Sequence, residues 1–386
     1  MPVIDRINDY VAELIEIRHD IHAHPEIGFE EVRTSGIVAE QLQSYGIEVH
    51  RGIGKTGVVG VLKGSKGEGR TVGLRADMDA LPMDETTNLP YRSTIPGRFH
   101  GCGHDSHTTM LLGAARYLAE TRNFAGTVVF IFQPAEEGLG GARAMLADKL
   151  FDRFPCDELY GLHNTPQNAM GEVSISPGVS MAGADFFDLR ITGRGSHGAA
   201  PQVSRDPIIV ATALVQALQT IVSRNTEPTQ SVVLSVTQIH SGSAYNVIPN
   251  EAVISGTVRI FSNETRELVR QRMREIAAGM AASFGVDIEV DIRKIFDVLE
   301  NDADLCQAVA EIGRQVVGKD KVVLQHSPHM ASEDFADMLR VVPGVQFKLG
   351  HGTGIPLHNP GFILDDAILP IGSSLFARIV ETRLAA

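Results

Sequence analysis

Four short runs of apolar and largely β-branched residues dominate the first half of the chain: GVVGVLK (57–63), RTVGLRA (70–76), GTVVFIF (126–132) and ELYGLHN (158–164). They read as strands, and the stretches between them follow a different rhythm. HTTMLLGAARYLAET (107–121) sets apolar residues at helical spacing and follows Asp105 and Ser106, which suit helix capping. A shorter helix is expected from Gly141 to about Leu150. Strands alternating with helices predict an α/β fold with a mostly parallel sheet flanked by helices.

From Ala182 the pattern changes. ADFFDLRITG alternates with period two, and DPIIVATALVQALQTIV (206–222) is an amphipathic helix opened by Asp-Pro. The strands SVVLSVTQIH (231–240) and AVISGTVRIF (252–261), a helix over 263–285 and a last strand, VDIEVDIRK (286–294), complete the order β-α-β-β-α-β. That order is ferredoxin-like. At 386 residues the chain exceeds one core of ordinary size. The expected organisation is a larger α/β domain, 1–181 and 296–386, interrupted by an inserted α+β domain, 182–295. The helix LCQAVAEIGRQVVG and the strand GVQFKLG (344–350) return to the first pattern.

Composition removes several classes of partner. Acidic residues outnumber basic ones 47 to 34, a net charge of −13, with no basic stripe, so nucleic acid is not an expected partner. Apolar runs such as IIVATALV (208–215) fall well short of the roughly 20 residues a bilayer requires, and no membrane association is expected. The N-terminal stretch mixes charge into its apolar residues and lacks the layout of a signal peptide. Three cysteines, Cys102, Cys156 and Cys306, lie far apart without a paired motif, which suits a reducing cytoplasm.

In open α/β sheets, ligands bind beyond the carboxyl ends of the strands. Here Asp77 and Asp79 follow one strand, Glu136 and Glu137 another, His163 ends a third, and His351 and His358 follow 344–350. FHGCGHDSHTT (99–109) adds Cys102 and His104 just before the helix. Each has a plain alternative: a turn before Pro82, a solvated loop, a strand-end surface histidine, or, for His351, a structural role. Together they make one edge dense in donors. Cys102, His104, Glu137, His163 and His358 are five strong donors, enough for two metal ions with three ligands each and one shared. A thiolate bridges readily, and Gly101 and Gly103 give Cys102 backbone room. Glu136, beside a ligating glutamate yet not consumed by it, fits a general base and acid. A competing reading makes Cys102 a nucleophile with His104 or His163 as base, and leaves Glu136, Glu137 and His358 without a task.

The motifs HGCGHDSHTTMLLGAA, QPAEEG, GLHN, GSHGAAP and LHNPGF, in that order across the chain, resemble the M20 metallopeptidase superfamily, in its hippurate hydrolase and auxin-conjugate amidohydrolase branch. The resemblance implies a di-metal catalytic domain with a ferredoxin-like lid that hydrolyses the amide of N-acyl-amino acids. It implies the same five ligands, Glu136 as base, His197 polarising the scissile carbonyl, and Asn246 and Arg259 near the substrate carboxylate. Where many members carry His-x-Asp, this chain has Asp77-Met78-Asp79, so Asp79 is expected to support a ligand rather than bind metal. The branch implies two divalent ions, manganese favoured; zinc, cobalt or nickel also suit the donors. Lids of such proteins pair, so a homodimer or higher homo-oligomer is expected. Specificity pockets leave open a dipeptidase or an N-acetyl-diaminopimelate deacetylase. A metal-dependent binding protein on the same fold is the non-enzymatic alternative, and an intact Glu136 speaks against it.

Overall fold

Along strand Thr127–Gln133, Val128, Phe130 and Phe132 enter one apolar cluster while Val129 and Ile131 enter another. A strand buried on both faces needs apolar residues at consecutive positions, which is why the run shows no alternation. In the computed structural model, which describes residues 3–325 and 327–385, this strand lies in an eight-stranded mixed sheet. The sheet order is Glu48–Ile53, Gly57–Lys63, Thr127–Gln133, Thr71–Asp77, Glu158–Thr165, Gly344–Gly350, Val173–Ile175 and Val322–Leu324. The four strands from Thr127–Gln133 to Gly344–Gly350 are mutually parallel, and so all end at one edge.

Contacts divide the chain into two units, Met1–Ser180 with Glu300–Pro328 and Asp334–Ala386, and Met181–Leu299 with His329–Glu333. In the second unit a four-stranded antiparallel sheet runs in the order Val232–Ser241, Glu251–Ile260, Gly183–Thr192, Asp287–Phe296. Helices Pro207–Thr220 and Asn263–Phe284 complete the ferredoxin-like arrangement. Asp206 caps the first through Ile208 N, and Ser262 caps the second through Thr265 N. Pro207–Asn225 is long and apolar enough, by length and composition, to cross a membrane. Its buried residues Pro207, Val210, Ala211, Leu214 and Leu218 recur at helical spacing, the pattern of a helix with one face in a core.

Two local expectations need correction. The helix predicted from 107 begins at His104, with Gly103 as N-cap at φ 86° and no side-chain cap. Asp105 and Ser106 therefore lie in its first turn, and the Asp105 carboxylate binds Arg18 and His22 instead. The helix expected over 141–150 breaks into Gly141–Ala147 and Leu150–Arg153, because Lys149 between them turns left-handed at φ 60°.

Helix His104–Thr121 crosses helix Leu369–Arg383 with almost no clearance. A Cβ at Gly113 would run into the Ser373 hydroxyl, which itself donates to Met110 O at 2.9 Å. Since alanine normally stabilises a helix by about 0.5–1 kcal/mol over glycine, the sign of the effect isolates packing. Gly113→Ala is expected to destabilise by about 1–3 kcal/mol through overpacking, read as a lower thermal midpoint. A raised midpoint would show that the crossing has slack.

Candidate metal centre

The parallel strands bring their last residues to a common edge. Asp77 pairs with Gln133, His163 pairs with Lys348, and the loops beyond carry Asp79, Glu136, Glu137, His351 and His358. Cys102 sits in the turn just before the helix that begins at His104. His358, left-handed at φ 61°, donates its backbone N–H to Gly101 O at 2.9 Å and so ties its loop to the Cys102 turn.

All six catalytic-domain residues expected at the site meet within the first unit. Cys102, His104 and His163 offer donor atoms within 4.8 Å of one another, as do Cys102, Glu137 and His358, and His104, Glu136 and Glu137. Cys102 Sγ lies 3.5 Å from His163 Nε2, and Glu137 Oε1 lies 3.3 Å from His358 Nε2 and 3.9 Å from His104 Nε2. Ligands held at about 2.0–2.3 Å by one tetrahedral cation stand about 3.3–3.8 Å apart. These spacings are longer than most direct hydrogen bonds and match donors facing a common ion. Among the described residues, both ring nitrogens of His104 and Oε1 of Glu137 are buried without a hydrogen-bond partner. Thiol, imidazole and carboxylate donors of this kind fit a divalent transition metal.

Charge points the same way. Burial pushes the Cys102 thiol up, and the Glu137 carboxylate adds to the effect. Burial would lower His104, yet Asp77 and Cys102 hold it well above its ordinary value. The neighbouring Cys102 and Glu137 raise His358 to about 10. Burial, then the neighbouring His107, keeps His163 well below its usual range and therefore neutral. A site so rich in buried acids demands positive charge, from imidazolium or from cations.

Behind the donors lies a buried network, in which the sequence pointed to Asp79 as a support and to His351 as structural but did not show the links through Arg75, His107 and Asn164. Arg75 donates to Asp77 Oδ2 at 2.7 Å, Asp77 Oδ1 pairs with His107 Nδ1 at 2.6 Å, and His107 Nε2 accepts Asn164 N–H at 2.9 Å. Asp79 places Oδ1 3.3 Å from His104 Nδ1 and accepts Glu137 N–H on Oδ2 at 3.0 Å. His351 is buried and pairs through Nε2 with Asn164 Oδ1 at 3.1 Å, outside the donor groups.

In the second unit, His197 and Asn246 are brought together by a two-stranded ladder, with His197 opposite Val247 and Gly198 N–H donating to Asn246 O at 2.7 Å. Arg259 is not with them. It sits near the other end of strand Glu251–Ile260, roughly 26 Å of strand from Glu251. Its guanidinium lies 5.9 Å from the Phe186 ring centroid, and Nη1 is buried without a partner among the described residues. The grouping of donors predicts that Cys102→Ala lowers the content of two ions at once, while His163→Ala and His358→Ala each affect mainly one, measured by elemental analysis of purified protein. Full metal content in Cys102→Ala would contradict the shared-donor grouping.

Comparison with known proteins agrees with this chemistry. Residues 73–382 match the model of peptidase family M20/M25/M40. The chain is 41% identical over 379 residues to a hippurate hydrolase of Campylobacter jejuni, covering 98% of each chain. It is 38% identical over 368 residues to an N-acetylcysteine deacetylase of Bacillus subtilis, covering 95% of each. A crystal structure of a dinuclear metal-binding M20 peptidase from Bacillus subtilis superposes with a TM-score of 0.84 at 34% identity, covering 98% of this chain and 99% of the other. The chain therefore belongs to the M20 peptidase family and is a metal-dependent amidohydrolase.

Proposed function

We propose that the protein hydrolyses the amide bond of N-acyl-amino acids, of the hippurate or N-acetyl-amino acid kind, to a carboxylic acid and a free amino acid. The observation that carries this reading is the pair of donor groups sharing Cys102, with the Glu136 carboxylate in the same cluster as His104 and Glu137. Relatives named for hippurate and N-acetylcysteine support the substrate class. Cys102, His104, Glu137, His163 and His358 would hold two divalent ions, which supply Lewis acidity to the scissile carbonyl and the attacking water.

Glu136 moves the proton. It is buried, and it takes a proton from the water and returns it to the leaving nitrogen. Its neighbour Glu137 is anchored through its N–H on Asp79, so Glu136 is held in place by the backbone next to it. Arg259 receives the carboxylate of the amino acid: burial lowers its pKa, and the unpartnered Nη1 is compensated when a carboxylate accepts from it. His197 donates to the carbonyl oxygen as charge builds there, and Asn246, which the ladder holds beside His197 rather than beside Arg259, is placed at this end instead of at the carboxylate where the family resemblance set it. A thiol ligand also suits the reducing cytoplasm in which we place the protein.

An N-acyl-amino acid spans roughly 10 Å. Arg259 and His197 of one copy are too far apart along their unit to touch one such molecule, so we place them on one substrate through two copies of the chain, as a homodimer. Exposed Ile208, Ile209, Ile239, Tyr245 and Val247 are apolar surface in the same unit that a second copy can cover.

The reading is tested by amino acid release from hippurate, N-acetyl-amino acids and dipeptides after reconstitution with Mn²⁺, Zn²⁺, Co²⁺ or Ni²⁺ separately. Turnover confined to dipeptides would replace it with a dipeptidase. Glu136→Gln is expected to keep its metal and lose about 10²–10⁴ in rate, and near-normal turnover would remove Glu136 from its role. Mixing inactive Glu136→Gln with inactive His197→Ala protein, followed by subunit exchange, is expected to restore activity, because one site of each hybrid is intact. No recovery in verified hybrids would place His197 and Glu136 on the same copy or remove His197 from catalysis.

A further inference from the structure

We propose that Asn164 is a positioning residue of the metal centre, holding the Cys102 turn and the ring of His163 in the geometry their ligand roles require. The proposal rests on the five-donor reading above. Asn164 is 1% exposed, so every polar group it carries needs a partner inside the protein. Its side-chain Nδ2 donates to Cys102 O at 2.6 Å and meets His107 Nε2 at 2.9 Å. Its Oδ1 pairs with His351 Nε2 at 3.1 Å. Its main-chain N–H also donates to His107 Nε2, and its carbonyl pairs with His163 Nδ1 at 2.7 Å.

These partners fix the direction of each bond. His107 Nε2 receives the main-chain N–H of Asn164, so the ring carries its proton on Nδ1 and donates it to Asp77, which Arg75 holds from the other side. Cys102 O and His107 Nε2 are thus both acceptors, and the Asn164 amide must turn its nitrogen toward them. The flipped amide would set oxygen against the Cys102 carbonyl. His163 gives its Nδ1 proton to the Asn164 carbonyl, which leaves the Nε2 lone pair facing Cys102 Sγ. Gly103, at φ 86°, completes the contact, because a Cβ there would overlap the Asn164 amide.

One amide therefore braces the turn of the donor common to both groups, and the carbonyl of the same residue selects the tautomer of a second donor. Since Cys102 belongs to both groups, losing the brace is felt by both ions. Asn164 has no group left over for substrate.

The test compares wild-type protein with Asn164→Asp, which keeps shape and an acceptor but loses both side-chain donors, and with Asn164→Leu, which keeps volume alone. Affinity for Co²⁺ is measured by chelator competition, and the Cys102–cobalt bond by its thiolate-to-metal charge-transfer absorption. Both variants are expected to bind about 10–100-fold more weakly at both sites, with a shifted or weakened band. Wild-type affinity and an unchanged band in folded variants would overturn the proposal, leaving Asn164 a stability residue visible only in the melting midpoint. His107→Gln, which disturbs the far side of the amide without touching Cys102, is expected to weaken both ions too. Unchanged affinity there overturns the relay even where the Asn164 variants do not fold. A wild-type protein lacking the band, by contrast, overturns the five-donor reading itself.

Discussion

The buried Cys102 thiol belongs to two donor groups, one completed by His104 and His163 and the other by Glu137 and His358. Sulfur could serve both, because its lone pairs can reach two cations, and cations on either side would keep it deprotonated against the burial that otherwise holds its proton. Much of the surrounding structure follows from placing that one atom. Gly103 gives the turn its left-handed backbone, helix His104–Thr121 starts at once behind it, and the His358 loop is tied to Gly101. The close crossing of that helix with Leu369–Arg383 sets its position against the sheet.

The donors are also a case of acids gathered where acids repel. Asp77, Asp79, Glu136 and Glu137 approach one edge because four parallel strands end there. Arg75 offsets Asp77 directly, burial costing that carboxylate less than His104, Arg75 and His107 return, so that its pKa falls well below the ordinary range. Asp79 divides its two oxygens between His104 and the Glu137 backbone. Glu137 instead faces the rings of His104 and His358, with no arginine or lysine against it among the described contacts. That difference fits a ligand role for Glu137 and a supporting one for Asp77.

Much of this was legible in the sequence, for identifiable reasons. A strand buried on both faces, such as Thr127–Gln133, shows as an uninterrupted apolar run, and the period-two strands of the second unit show as alternation. Three-residue strands such as Val173–Ile175 are too short to carry any pattern. Asp105 and Ser106 resemble caps in sequence, but a glycine at positive φ starts the helix before them. Glu137, His163 and His358 were legible because they end or follow strands, and Cys102 and His104 because one short stretch is dense in donors; Asn164 was not, because an asparagine at a strand end looks like any turn residue. Its importance comes from what the Cys102 turn, helix His104–Thr121 and the His351 loop present to it, a three-dimensional coincidence that spacing does not encode. The separation of Arg259 from His197 likewise appears only once the register of strand Glu251–Ile260 is known.

The claim that one thiolate joins two cations is tested most directly by anomalous diffraction from crystals of the zinc-loaded protein. The account predicts two peaks about 3.5–4 Å apart, with Cys102 Sγ about 2.3 Å from each. A single ion, or two ions with Cys102 Sγ bonded to only one or neither, would contradict it.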